Sequence, residues 1–130
     1  MALEEFVSLF KEHRVVVLIP TFNNERKVGN VIRSVQEYSK DVIVVNDGST
    51  DSTEKILQQF QNINLVSYTP NKGKGYALRK GFKRAIELGY DYVISIDSDG
   101  QHFAEDLPKF LKVTFLECQW CLAYVWCKSF

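Results

Sequence analysis

Several short polar stretches in this 130-residue chain carry residue types that could do chemistry. One is Asp97-Ser98-Asp99-Gly100-Gln101-His102. Side chains alternate along an extended chain, so Asp97 and Asp99 point the same way. Two carboxylates aimed together repel unless a cation sits between them, which suits Mg²⁺ or Mn²⁺ completed by water and phosphate oxygens. The plainer alternative is that both acids cap the next turn, since Asp and Gly are ordinary loop residues. Gln101 and His102 directly after the pair weigh towards a metal.

In Asn71-Lys72-Gly73-Lys74-Gly75, two glycines flank Lys74 just ahead of a helical pattern. Backbone N–H groups and the helix dipole favour phosphate there, although a plain flexible turn has the same composition. Asp47, within Asn46-Asp47-Gly48-Ser49-Thr50-Asp51, could accept a hydrogen bond from a base N–H or cap the next helix. A further polar stretch, Pro20-Thr21-Phe22-Asn23-Asn24-Glu25, precedes another helical pattern. His13 and His102 lie too far apart in sequence to argue a pair. The basic residues Lys74, Arg79, Lys80, Lys83 and Arg84 read mainly as a solvated helix face.

The elements that position these stretches are set by apolar spacing. Leu3, Phe6, Val7 and Phe10 predict a short amphipathic helix over 2–12. Val15–Ile19 is a continuous β-branched and apolar run, the pattern of a strand buried on both faces, Val42–Val45 reads as a second buried strand, and Ile63–Tyr68 and Tyr92–Ile96 as a third and fourth strand. Between them, Val28, Val31, Ile32, Val35 and Tyr38 predict a helix capped by Asn23 or Asn24. Ile56, Leu57 and Phe60 predict another, with Asp51 and Glu54 as its capping pair. Ala77, Leu78, Gly81, Phe82, Ala85 and Ile86 mark a third, stopped by Gly89. A last helix is expected from about Ala104, with Pro108 in its first turn. This β-α alternation predicts an α/β fold: a Rossmann-like, mostly parallel sheet with right-handed crossovers and helices on both faces. Each polar stretch then lies just past the carboxyl end of a strand, the edge where such sheets bind ligands.

Composition narrows the function classes. Sixteen basic and sixteen acidic residues give a formal net charge of zero, which argues against binding to nucleic acid or anionic lipid through bulk charge. Apolar residues make up 45% and charged residues 25%, as in soluble globular domains. No stretch approaches the ~20 apolar residues of a transmembrane helix, and the acidic start does not read as a signal peptide, so a cytoplasmic setting with reduced thiols is expected. No G-x-G-x-x-G follows the first strand and no G-x-x-x-x-G-K-[ST] occurs, which counts against NAD-dependent enzymes and P-loop NTPases. Cys118, Cys121 and Cys127 crowd into the last 13 residues with both tryptophans, and the further ligands that zinc would need are missing from the sequence around them. The pattern breaks near Val113–Glu117. The expected organisation is therefore a ligand-binding unit over 1–117 and an atypical Cys/Trp-rich tail over 118–130, as a frameshift or premature stop would leave.

Over about residues 14–112 the chain resembles the N-terminal part of family 2 glycosyltransferases of the GT-A fold. The resemblance rests on Ile19-Pro20-Thr21-Phe22-Asn23-Asn24-Glu25, Val45-Asn46-Asp47-Gly48-Ser49-Thr50-Asp51, Asn71-Lys72-Gly73-Lys74-Gly75 and Asp97-Ser98-Asp99-Gly100-Gln101-His102, in that order. The D-x-D-x-Q-H form is most similar to polyprenyl- or dolichyl-phosphate mannosyl- and glucosyltransferases; Ala104 stands where many of them have proline. The resemblance implies a nucleoside-diphosphate sugar donor, of GDP-mannose or UDP-glucose type, an inverting transfer, and Mg²⁺ or Mn²⁺ held by Asp97, Asp99 and Gln101. It implies that Pro20, Thr21, Asn23 and Glu25 line the nucleoside pocket, that Asp47 contacts the base, and that Gly73, Lys74 and Gly75 close over the nucleotide, with Ser98 in the same binding set. The acceptor would be a polyprenyl phosphate or a saccharide. In that fold the acceptor site and any base come from the C-terminal part, so no catalytic residue is expected within this chain. The alternative is a truncated, catalytically inactive nucleotide-sugar-binding remnant. A sheet face left open by truncation would favour self-association, and a longer parent could sit at the membrane periphery.

Overall fold

The computed structural model describes residues 3–98 and 125–127. In chain order the elements are α1 (Leu3–Glu12), β1 (Val15–Thr21), α2 (Val28–Gln36), β2 (Val42–Asp47), α3 (Thr53–Gln58), β3 (Asn64–Tyr68), α4 (Lys74–Glu87), β4 (Tyr92–Ser95) and β5 (Val125–Cys127). The helix expected from about Ala104, together with Asp99 and Gln101, lies outside the described residues.

The strand order is β3-β2-β1-β4-β5, and every pairing among the described strands is parallel. The chain therefore winds outward from β1 through β2 to β3, then crosses back through α4 to place β4 on the other side of β1. Such a reversal of direction opens a crevice at the carboxyl ends of the strands. Register shows where it lies. β1 pairs with β2 as far as Thr21↔Asn46, but its ladder with β4 stops at Leu18↔Ser95. One more bond, from Ile96 N to Leu18 O, ends that contact. β5 comes from the tail expected to be atypical and continues the sheet beside β4, with Val93↔Val125 in register.

β1 and β2 are buried along their whole lengths, as their unbroken apolar runs require. Alternation sends Val15, Val17 and Ile19 to one face, against Val28, Val31, Ile32 and Val35 of α2 and Leu57 of α3. Val16, Leu18, Ile43 and Val45 face the other way, onto Ala77 and Ala85 of α4. Small residues on α4 bring that helix close to the sheet. A Cβ on Gly81 would collide with the Leu18 side chain, which is itself fully buried. At the opposite end of the sheet Arg14 pairs with Asp91 at 2.8 Å. Nearby, the Tyr90 hydroxyl donates to Asp41 at 2.8 Å, and burial together with that carboxylate pushes its pKa up to about 12. No helix among the described residues is long and apolar enough to cross a membrane.

Two caps differ from expectation. Neither Asn23 nor Asn24 caps α2 with its side chain; Lys27 occupies the N-cap, and only the Asn24 carbonyl serves the helix start, accepting from Val28 N at 3.0 Å. Asp51 does cap the first turn of α3, accepting from Thr53 N at 2.9 Å, but Glu54 turns instead to the ends of β2 and β3. In each case a partner distant in sequence outcompetes the local one.

Gly81→Val is expected to lower the unfolding free energy by about 1–2 kcal/mol, because overpacking against Leu18 outweighs the smaller gain in helix propensity. A urea midpoint that holds or rises would show that α4 can move off the sheet without cost.

Candidate functional site

The site begins with a charge that the fold buries. Asp47 ends β2 with only 3% of its surface exposed, and a buried carboxylate must be hydrogen-bonded to be tolerated. Its Oδ1 accepts from Lys72 N at 2.8 Å, and its Oδ2 accepts from Gly73 N at 2.9 Å and from Asn71 Nδ2 at 2.8 Å. The Asn71 amide also reaches the Asp47 carbonyl at 2.9 Å. Asp47 thus clasps the β3–α4 loop onto the end of its own strand. Gly48 makes the clasp possible. Its φ is +65°, and a Cβ there would run into the backbone of Pro70 and Asn71. The Tyr68 hydroxyl is buried nearby, beside Asp47; burial, with that carboxylate, holds its pKa above the ordinary range.

Gly73, at φ +95°, is the N-cap of α4 and offers no side chain to the first turn, which leaves that end open. Lys74 starts the helix and extends across the cleft to Asp97, Nζ to Oδ1 at 2.8 Å. The lysine is roughly half-exposed and the carboxylate mostly shielded. A cation therefore already sits on the one member of the expected metal set that is described. Asp97 is a hard oxygen donor turned into the cleft, which is the donor chemistry that Mg²⁺ and Mn²⁺ select. Among the described residues no cluster of three metal-ligating side chains forms, and Asp99 and Gln101 lie outside those residues.

The floor of the cleft is tied across the sheet. The Ser98 hydroxyl donates to Thr21 Oγ1 at 3.1 Å and accepts from Asn24 Nδ2 at 3.0 Å, and the same amide reaches the Ser98 carbonyl. These bonds join the ends of β1 and β4 where their ladder has stopped. Beside them, the β1–α2 and β2–α3 loops interlock. Asn23, left-handed at φ +46°, donates its N–H to Ser49 Oγ at 2.9 Å and accepts from Thr50 N at 2.8 Å. Glu25 accepts from Ser52 N at 3.0 Å. Burial pushes Asp51 up, but the Thr53 hydroxyl and the N–H groups of Thr53 and Glu25 outweigh it and hold the carboxyl below its usual range. Glu54 is likewise pushed up by burial and pulled further down by Ser67, Asn46 and Gln58.

Together these elements enclose a cleft of about 490 Å³ at the carboxyl edge of the sheet. Of the sequence-predicted residues, Pro20, Thr21, Asp47, Gly73, Lys74, Asp97 and Ser98 line it. Asn23 and Glu25 do not; the left-handed turn at Asn23 commits both side chains to the neighbouring loop. Gly75 lies one step into α4, exposed and away from the cleft lining. Phe22, Asn71 and Ala77 complete the wall, although residue type and spacing did not mark them as site residues. Phe22 carried a signal, an aromatic placed directly after a strand, and its ring is half-exposed at the cleft. A cleft with a buried acceptor at one end and an ammonium–carboxylate pair at a helix start can hold an elongated ligand, with a hydrogen-bond donor at one end and negative charge at the other.

Gly48→Ala is expected to cost about 1–2 kcal/mol through its left-handed backbone alone, and more through the collision with Asn71, read as a lower urea midpoint. A depressed carboxylate stabilises the fold above its ordinary pKa and loses that contribution as pH falls through the lowered value. Glu54→Gln should therefore be less stable than the parent chain above the ordinary carboxylate range, and that gap should narrow as pH falls below that range and through the lowered value. A gap independent of pH would exclude the ionised Glu54 as its source.

Comparison with known proteins bears on this geometry. A UDP-N-acetylglucosamine–dolichyl-phosphate N-acetylglucosaminyltransferase of Methanococcus voltae is 34% identical over 115 residues, covering 75% of this chain and 46% of that protein. An undecaprenyl-phosphate mannosyltransferase of Micrococcus luteus is 33% identical over 107 residues, covering 76% and 43%. Glucosyl-3-phosphoglycerate synthase from Mycobacterium tuberculosis, solved with Mn²⁺ and UDP-glucose, superposes with a TM-score of 0.68 at 25% identity over 87% of this chain and 43% of that one. The chain spans under half the length of these relatives. Residues 16–114, from the central strand past the Asp97 stretch, match the family described as glycosyl transferase family 2, and with its parallel sheet and carboxyl-edge cleft the chain belongs to that family.

Proposed function

We propose that this chain forms the donor-binding part of an inverting, divalent-metal-dependent glycosyltransferase. It would take a sugar from a nucleoside-diphosphate sugar, of GDP-mannose or UDP-glucose type, to a polyprenyl-phosphate or saccharide acceptor. One observation carries the reading: Asp47 at the end of β2, Lys74 at the start of α4 and Asp97 just past β4 face a single cleft at the carboxyl edge of a parallel sheet. The relatives named for dolichyl-phosphate and undecaprenyl-phosphate transfer, and the structural neighbour holding Mn²⁺ and UDP-glucose, support it.

In this reading the base enters against Asp47, whose carboxylate accepts a ring N–H. The diphosphate lies over the start of α4, where free N–H groups and the Lys74 ammonium meet its charge. Asp97, with Asp99 and Gln101, would hold Mg²⁺ or Mn²⁺, which neutralises charge on the departing diphosphate. The acceptor oxygen attacks the anomeric carbon as the bond from that carbon to the diphosphate oxygen breaks. A lipid phosphate is already ionised and brings its own nucleophile, whereas a sugar hydroxyl must lose a proton to a base. Thr21 and Ser98 hold the cleft floor in place beneath the donor, and Pro20 and Phe22 wall it.

A thermal unfolding scan with UDP, GDP, UDP-glucose and GDP-mannose, each with and without Mn²⁺, tests this. Ligand at a hundredfold excess over its dissociation constant should add about 2.7 kcal/mol. Asp97→Asn is expected to abolish the Mn²⁺-dependent part of the shift and keep the part seen without metal. Lys74→Ala should reduce the metal-free part. Absence of any nucleotide shift would overturn the reading.

A further inference from the structure

Ser98 stands between Asp97 and Asp99 in the chain, so whatever holds it governs how two carboxylates can share one cation. The sheet does not hold it. The ladder between β1 and β4 ends at Leu18↔Ser95, and the bond from Ile96 N to Leu18 O stops short of Ser98. Ser98 is nonetheless buried, and its polar atoms therefore need partners. Side chains supply them. The hydroxyl donates to Thr21 Oγ1 at 3.1 Å and accepts from Asn24 Nδ2 at 3.0 Å, and the same amide donates to the Ser98 carbonyl. An amide nitrogen carries two hydrogens, one for each Ser98 oxygen, which a hydroxyl or an ionised carboxylate at position 24 could not supply.

Asn24 is itself fixed from two directions. Its N–H donates to the hydroxyl of the fully buried Thr53, at the start of α3, at 3.0 Å. Its carbonyl accepts from Val28 N, at the start of α2, also at 3.0 Å. Two helix starts thus carry the amide to Ser98. Among the described residues Ser98 lines the cleft and Asn24 does not.

The carbonyl that Asn24 holds belongs to the peptide joining Ser98 to Asp99. Peptide units are planar, so a hydrogen bond on that oxygen fixes the plane through which the chain passes from one acid to the next. Resting on the donor-site reading, we infer that Asn24 is a positioning residue for the divalent cation. It holds the Asp97-Ser98-Asp99 backbone in the geometry that the cation needs, and it touches neither cation nor nucleotide. Ser98 then serves the site through its backbone, with its hydroxyl committed to Thr21 and Asn24. Groups that orient metal ligands from outside the coordination shell change metal affinity by about ten- to a hundredfold when removed.

The test separates metal from nucleotide in the 130-residue chain and its variants. Mn²⁺ affinity is read from the electron paramagnetic resonance signal of the free ion, with UDP or GDP saturating, whichever the parent chain binds. Nucleotide affinity is read by calorimetry without metal. Asn24→Ala is expected to weaken Mn²⁺ binding about tenfold or more and to leave metal-free nucleotide affinity within about twofold. Ser98→Ala keeps the carbonyl that Asn24 holds and should weaken Mn²⁺ severalfold less. The double variant should lose less than the two single losses combined, because both changes remove the bond from amide to hydroxyl. An unchanged Mn²⁺ affinity in Asn24→Ala would overturn the inference, as would equal losses of metal and metal-free nucleotide affinity or losses that simply add. Should Asn24→Ala fail to fold, Ser98→Ala decides: a loss confined to Mn²⁺ supports the inference, and no loss, or one shared with metal-free nucleotide, overturns it. A parent chain that binds neither nucleotide nor Mn²⁺ would instead overturn the donor-site reading beneath it.

Discussion

A nearly buried carboxylate at the end of a parallel strand organises this site. Asp47 cannot stay charged at 3% exposure without donors, and its own strand supplies none at that position. The donors come from Lys72, Gly73 and Asn71, which arrive only if the β3–α4 loop folds back over the end of β2. That requirement sets where α4 begins. It therefore sets which side chain stands at the helix start and how far Lys74 can reach. Gly48 meets the other half of the constraint by letting the two loop backbones touch.

The rest of the carboxyl edge is held by polar bonds between loops, because a parallel sheet that stops at different heights on its two sides cannot close the gap with ladder bonds. β1 outruns β4, and Thr21, Ser98 and Asn24 bridge the space left between them. Asn23 and Glu25 stitch the adjacent loop to the start of α3. These side chains hold the walls without lining them. Residues of that kind act on a ligand through geometry, by keeping Thr21 and Asp47 in place.

Much of this architecture was legible because a strand buried on both faces leaves an unmistakable apolar run; β1 and β2 begin where Val15 and Val42 suggested, and the partly buried β4 begins at Tyr92 as expected. The face of α4 was legible from Ala77, Gly81 and Ala85 for the same reason. Where expectation and structure part, long-range polar partners are responsible. Glu54 was expected to cap its own helix, and beside accepting from Gln58 it serves Asn46 and Ser67. Asn23 was expected to cap α2 and to line the nucleoside pocket, and its left-handed backbone turns it to Thr50. Spacing along a chain records helix and strand periods, but it does not record a positive φ or a hydrogen bond to a residue far away in sequence. The tail shows the same limit: its composition marked a break in pattern, and pairing beside β4 is a matter of backbone register that composition does not express.

The two ends of the cleft are mechanically one unit. Gly73 donates its N–H to Asp47, and the next residue, Lys74, pairs with Asp97 at 2.8 Å. Neighbouring residues thus hold a buried carboxylate on β2 and a partly shielded one beyond β4. Under the proposed donor reading, a ligand that drew Lys74 towards its phosphates would pull on the backbone that satisfies Asp47, and a base at Asp47 would pull on the start of α4. Recognition at one end and charge placement at the other would then share one short length of chain. Gly73 at φ +95° holds that junction in a backbone conformation that glycine adopts readily, and a Cβ at Gly48 would run into Pro70 and Asn71.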